Sequence, residues 1–203
     1  VVLFDYLYKD NETGALLGAS RFDHETLAAD PRRYAIRHQI NPFCGLYRRS
    51  AYLAAGGYDE DPTVLYNEDV NFHIKLAFAG LTFGAEQTVS IINYRIDGSM
   101  SVANAARCDL AHHEVMQRTL ARPDAAPYRD DIAAKLWAVA GRLAAHGEWG
   151  QADRAALTAA AITRPGPNAG SCLFGKVARI SPRVALRMRE RWIRLTHPEL
   201  RSS

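Results

Sequence analysis

The chain has 203 residues, 48% of them hydrophobic and 23% charged, enough apolar material for one full domain or a domain with an appendage. No apolar run approaches the roughly 18 residues of a membrane span, and no secretory signal is present. Net charge is +3, but Lys176–Arg201 alone carries eight Lys/Arg against Glu190 and Glu199. Three cysteines (Cys44, Cys108, Cys172), far apart and without a CxxC pair, exclude a disulfide framework or zinc ribbon and fit a reducing cytoplasm.

In chain order, VVLFDYLY (residues 1–8) and ALLG read as two extended segments flanking the turn formers KDNETG. A chain that opens inside an apolar strand is expected to be a fragment whose N-terminal portion precedes Val1. HETLAAD and PRRYAIRHQI follow, with Pro31 suited to the first turn of a short helix. NPFCGLYRRSAYLAAGGYDE predicts a strand over 44–47, a helix over 49–55 and a Gly-Gly turn. YNEDVNFHIKLAFAG predicts a helix capped by Asn67 and ended by Gly80. LTFGAEQTVSIINYRI reads as two short strands. Beyond Ser101 the strand signal stops, and helices are predicted over 104–121, 129–146 and 149–163, then a turn-rich linker over 164–171 and a basic helix over 181–196.

Chemistry concentrates in three blocks. Glu68 and Asp69 stand at a helix mouth, where the backbone N–H groups favour an ionised carboxylate that can take a proton from a hydroxyl. Acids also stabilise a first helical turn without any chemistry. GGYDE, with Gly57, Tyr58 and Asp59, is a compact loop able to wrap against a ligand. YRIDGSMS places Arg95, Asp97, Ser99 and Ser101 beyond a strand end, where a diphosphate or metal can be gripped.

The order FCGLYRRSAYLAAGGYDE, YNEDVNFHIKLAFAG, YRIDGSMS resembles the C-terminal half of family 2 glycosyltransferases, in which an Arg-containing segment, a G-G-[YF]-D-E loop, an E-D pair opening a helix, and a Y-R-x-H-x-x-S-x-S-like segment follow one another. VVLFDYLYKDNETGALLG is similar to that family's strand and D-x-x-G-like turn, so the likeness spans residues 1–101. It implies a partial GT-A α/β lobe over 1–103, its nucleotide-binding half preceding Val1, and inverting transfer of a sugar from a nucleotide-sugar donor to a glycan or lipid-linked acceptor, as in bacterial polysaccharide assembly. Asp69 would be the base and Glu68 its neighbour; Gly57, Tyr58 and Asp59 would shape the acceptor loop; Arg95 and Ser99–Ser101 would close over the donor diphosphate. A divalent metal (Mg or Mn) is expected in the intact enzyme, with Asp97 as the ligand this segment offers. The sequence departs from the family in three ways: the only D-x-D string, Asp59-Glu60-Asp61, falls in the acceptor loop; Asp97 stands where many members carry His; and no Q-x-x-R-W follows the base, which favours transfer of single sugars. The fragment alone is expected to be inactive.

The remainder, an all-helical extension over 104–165 and a linker with a basic amphipathic helix over 166–203, completes the expected architecture. LAAHGEWGQADRAALTAAAITRPGP resembles the second half of a tetratricopeptide unit, with Gly147 and Trp149 at the turn, Ala152, Ala156 and Ala159 on the packing face and Pro165 closing it. That implies a protein partner, and the alternative to an enzyme is a non-catalytic interaction module with a vestigial transferase lobe. A third reading is a metal-dependent hydrolase using Asp69 and Asp97. Arg183, Arg187, Arg191 and Arg194 recur at helical spacing through 181–196, which suits peripheral contact with the inner face of the membrane from the cytoplasm. No nucleic-acid partner is expected, because no aromatic residues interleave the basic run. The seven histidines have no ligand-like spacing and are read as surface or packing residues.

Overall fold

The computed structural model describes residues 1–96, 103–165 and 172–201. It forms two compact units, Val1–Ala105 and Ala106–Ser203.

The first unit is α/β, built on a mixed four-stranded sheet around β1 (Val2–Asp10). One edge of β1 pairs in parallel with β4 (Gly84–Arg95). The other edge is shared by β2 (Leu16–Ser20) and β3 (Gly45–Leu46), both antiparallel. The β1–β2 turn forms as its residue types dictate: Asp10 Oδ1 accepts from the backbone N–H of Glu12 and Thr13 and from the Thr13 hydroxyl, and Gly14 takes φ +69°. Where the sequence predicted two short strands near the end of this unit, there is one, β4. Its register against β1 jumps between the pairs Phe4–Glu86 and Tyr6–Ile91.

Helices α1 (His24–Ala29) and α2 (Pro31–Arg37) are capped by Asp23 and Asp30, and Pro31 sits in the first turn of α2 as expected. Helix α3 (Arg49–Ala54) leads into the Gly56-Gly57 turn, where both glycines have positive φ, 83° and 56°. Helix α4 (Glu68–Phe78) is the hub of the unit, with eight of its eleven residues buried. A helix this apolar on nearly every face belongs inside a domain. Asn67 occupies the cap position of α4, but its side chain makes no capping bond, contrary to the sequence expectation. Gly80, at φ +81°, follows the helix as expected. The core gathers Leu3, Tyr6, Leu27, Ile36, Ile40, Cys44, Phe72, Ile74 and Leu76, and burial pushes the Cys44 thiol up to about 11, as befits a packing thiol.

The second unit is all-helical: α5 (Ala105–Leu120), α6 (Arg129–Ala145), α7 (Trp149–Ile162), α8 (Cys172–Ile180) and α9 (Pro182–Thr196). Helices α6 and α7 form a tight hairpin in which Ala152, Ala155, Ala156 and Ala159 are fully buried, because small side chains let the two backbones approach closely. Helix α8 was not foreseen. Its signal was present, since Leu173, Phe174, Val177 and Ala178 recur at helical spacing. Helix α9 packs on α6 and α7 within the same compact unit. Gly147, at the α6–α7 turn, has φ +81° and open space around it. Gly147→Ala is therefore expected to lower stability by about 1 kcal/mol through backbone strain alone. Gly150→Ala, inside α7 and equally unobstructed, should raise it by about 0.5–1 kcal/mol. Urea midpoints of the two variants check the pair; equal shifts would show that φ is not the deciding variable.

Candidate functional site

The start of α4 and the Gly-Gly loop come together. Tyr58 stacks on Phe72 at 4.4 Å between ring centroids, and Tyr47 and Tyr52 pack against the same ring at 5.3 and 5.2 Å. Asn71 Nδ2 donates to Asp59 Oδ2 at 3.2 Å, and Lys75 Nζ donates to the Gly57 carbonyl at 2.9 Å. One helix turn below the acidic pair thus fixes the loop through an aromatic stack, an amide–carboxylate bond and a lysine clamp on loop carbonyls. Tyr66 leads into the pair with φ +78°, the lone non-glycine residue with positive φ among the described residues. A bulky residue held there stores strain of about 1–3 kcal/mol, the kind of outlier that clusters at functional sites.

Asp69 lies in the first turn of α4, and its Oδ1 accepts from the Val70 N–H at 2.8 Å. Burial raises its carboxyl above the ordinary value; bonds from Val70 and Gln39 work downward, and the neighbouring Glu68 works upward. A half-buried carboxylate with raised proton affinity is what a general base for a hydroxyl requires. Glu68 Oε2 is buried without a hydrogen-bond partner among the described residues, which is expensive unless a ligand supplies one. Burial, with the Asp69 charge adding to it, raises the Tyr58 phenol to about 12, so this ring meets a ligand as a neutral hydroxyl.

His73, one turn beyond Asp69, carries the site's support. It is buried, its Nδ1 lies 2.7 Å from the Asp69 carbonyl oxygen, and its Nε2 lies 2.7 Å from the Tyr47 hydroxyl. The carbonyl can only accept, so Nδ1 carries the proton and the Tyr47 hydroxyl donates to Nε2. Burial pulls the His73 imidazole down to about 4 from 6.5. Between those values the unfolded chain holds a proton that the folded chain refuses. Unfolding then takes up protons, and stability falls as pH drops through the window, by on the order of 3 kcal/mol in full. Asp69 has the opposite sign: its raised carboxyl stabilises the fold at acid pH, and that contribution fades as pH rises above the ordinary carboxylate range. Urea unfolding from pH 4 to 7 should therefore show a shallower acid loss for His73→Gln than for the parent chain; parallel curves would remove His73 as the cause.

The other residues singled out by sequence are distributed differently. Arg95 ends β4 with its guanidinium 4.5 Å over the Tyr8 ring, and no hydrogen bond or ion pair among the described residues joins it to Asp69. Asp97, Ser99 and Ser101 lie outside the described residues. No group of three or more His, Cys, Asp or Glu among the described residues is placed to hold a metal ion. Sequence reasoning missed His73, Asn71 and Lys75 as supports, although Asp69 and His73 stand at i and i+4 on one helical face, a spacing that signals contact.

No family model, no curated protein and no solved structure matches this chain.

Proposed function

We propose that Val1–Ala105 is the acceptor-side half of a GT-A glycosyltransferase of family 2 type, with Asp69 as general base. The observation that carries this reading is the meeting of the acidic pair with the Gly-Gly-Tyr-Asp-Glu loop at one helix start. There Asp69 has raised proton affinity, Glu68 keeps an unpartnered buried oxygen, and Tyr58 is exposed at the rim. In the proposed step the acceptor hydroxyl lies against Tyr58 and the Asp59 loop. Asp69 takes its proton as the oxygen attacks the anomeric carbon, and the donor's nucleoside diphosphate departs with the bonding electrons, inverting the centre. Glu68 orients the acceptor by receiving a hydroxyl hydrogen bond on Oε2. Arg95, at the end of β4, is the cation this segment would offer to the diphosphate. A divalent metal and a nucleotide-binding half belong to the proposed intact enzyme.

The test is release of nucleoside diphosphate by the intact enzyme from a panel of nucleotide sugars, with and without saccharide and lipid-linked acceptors. Release that depends on both donor and acceptor supports transfer. Release without acceptor would make the protein a hydrolase, and no release from any donor would leave the interaction-module reading.

A further inference from the structure

The basic stripe read from the sequence is largely consumed inside the molecule. Arg187 pairs bidentately with Asp153 at 2.8 and 3.1 Å and lies over the Trp149 ring, and Arg183 reaches the same carboxylate at 3.7 Å. Arg194 and Arg201 both hold Glu190, which is only 2% exposed. Burial acts to raise the Glu190 carboxyl, but the bonds and charge of these two arginines prevail and lower it, so the cluster is a structural ion network.

The exposed face of α8 and α9 is a different surface. Val184, Met188, Trp192 and Leu195 follow one another at helical spacing on α9, and Leu173 and Ile180 continue the patch on α8. Trp192 is 67% exposed, Leu195 81% and Ile180 89%, while Leu186 is buried on the far side of α9. Between the helices runs a groove of about 480 Å³ lined by Leu173, Val177, Met188, Trp192 and Ile193. Lys176 and Arg179 on α8 and Arg191 on α9 are exposed and make no ion pair among the described residues, and no exposed acid of either helix offsets them.

We propose that this α8–α9 face docks on an anionic phospholipid surface, with Trp192, Leu195, Met188, Ile180 and Leu173 entering the headgroup boundary and Lys176, Arg179 and Arg191 meeting lipid phosphates and carboxylates. Each of the two forces fits that occupant: apolar side chains around a tryptophan suit the interface, and the unbalanced exposed cations of the same two helices give it the matching sign. A protein partner would need acids to match the cations and a ridge to fill the groove. The membrane supplies both without a specific shape. Docking of this face is independent of Asp69 and of the transferase reading.

The experiment is partition of the 203-residue chain onto vesicles of phosphatidylcholine alone and of phosphatidylcholine with about 30 mol% phosphatidylserine. Binding to the anionic vesicles, a blue shift of tryptophan emission that Trp192→Phe abolishes, and loss of binding at about 0.5 M NaCl are expected. Trp192→Ser with Leu195→Ser, and separately Lys176→Glu with Arg191→Glu, should each weaken partition about tenfold or more, since all four residues are exposed and their replacement leaves the core intact. No partition at low salt, or equal partition of parent and both variants, overturns the proposal. So does a concentration-dependent dimer that Trp192→Ser abolishes in a chain that ignores vesicles, which would give the face to a second copy.

Discussion

In the proposed intact enzyme, Asp69→Asn is expected to lower kcat by about 10²–10⁴-fold, roughly 3–5 kcal/mol of barrier, with donor affinity unchanged. The asparagine keeps the shape and the acceptor oxygen that holds the Val70 N–H, but it cannot take a proton. The same substitution should leave stability equal or higher, because burial already disfavours the charged carboxylate in the folded chain. That combination is the signature of a residue kept for chemistry rather than for folding. A variant with near-parent kcat would remove Asp69 from the role of base. Unchanged kcat with a lowered melting temperature would instead make it a helix-terminus stabiliser.

Phe72→Ala is expected to destabilise the first unit by about 3–5 kcal/mol, measured by urea unfolding. The ring is 1% exposed and contacts Tyr47, Tyr52 and Tyr58, so truncation removes apolar burial and three aromatic packings together. Because Tyr58 rests flat on this ring, the Gly-Gly loop loses its seat as well. Phe72→Leu, which keeps most of the volume, should retain the greater part of the stability while still loosening Tyr58. In the intact enzyme it is expected to raise the acceptor KM more than it lowers kcat. A loss under about 1 kcal/mol for Phe72→Ala would mean the aromatic cluster is not what holds the loop to α4.

Much of the first unit was legible in the sequence because its signals are local. Asp10 and Gly14 specify a turn, Pro31 sets the first turn of α2, and Gly56 and Gly57 mark positive φ. The boundaries of α5, α6 and α7 fall within a residue or two of those read from Pro123, Pro127 and Gly147. The merging of two predicted strands into β4 was not legible, since a register jump is set by the partner strand β1 rather than by the bulged residues themselves.

The sequence by itself determined which residues are the candidates for chemistry: the Glu68-Asp69 pair, the Gly-Gly-Tyr-Asp-Glu loop and the order of both along the chain. Their types are chemically restrictive, and the turn and helix that present them are fixed by near neighbours. Only the tertiary structure decided what surrounds them. Placement of His73 between the Asp69 carbonyl and the Tyr47 hydroxyl depends on packing across 26 residues of chain. Likewise, which arginines of α9 remain exposed depends on where Asp153 and the buried Glu190 lie. Burial and ion pairing are properties of residues brought together from distant parts of the chain, and spacing along the sequence does not record them.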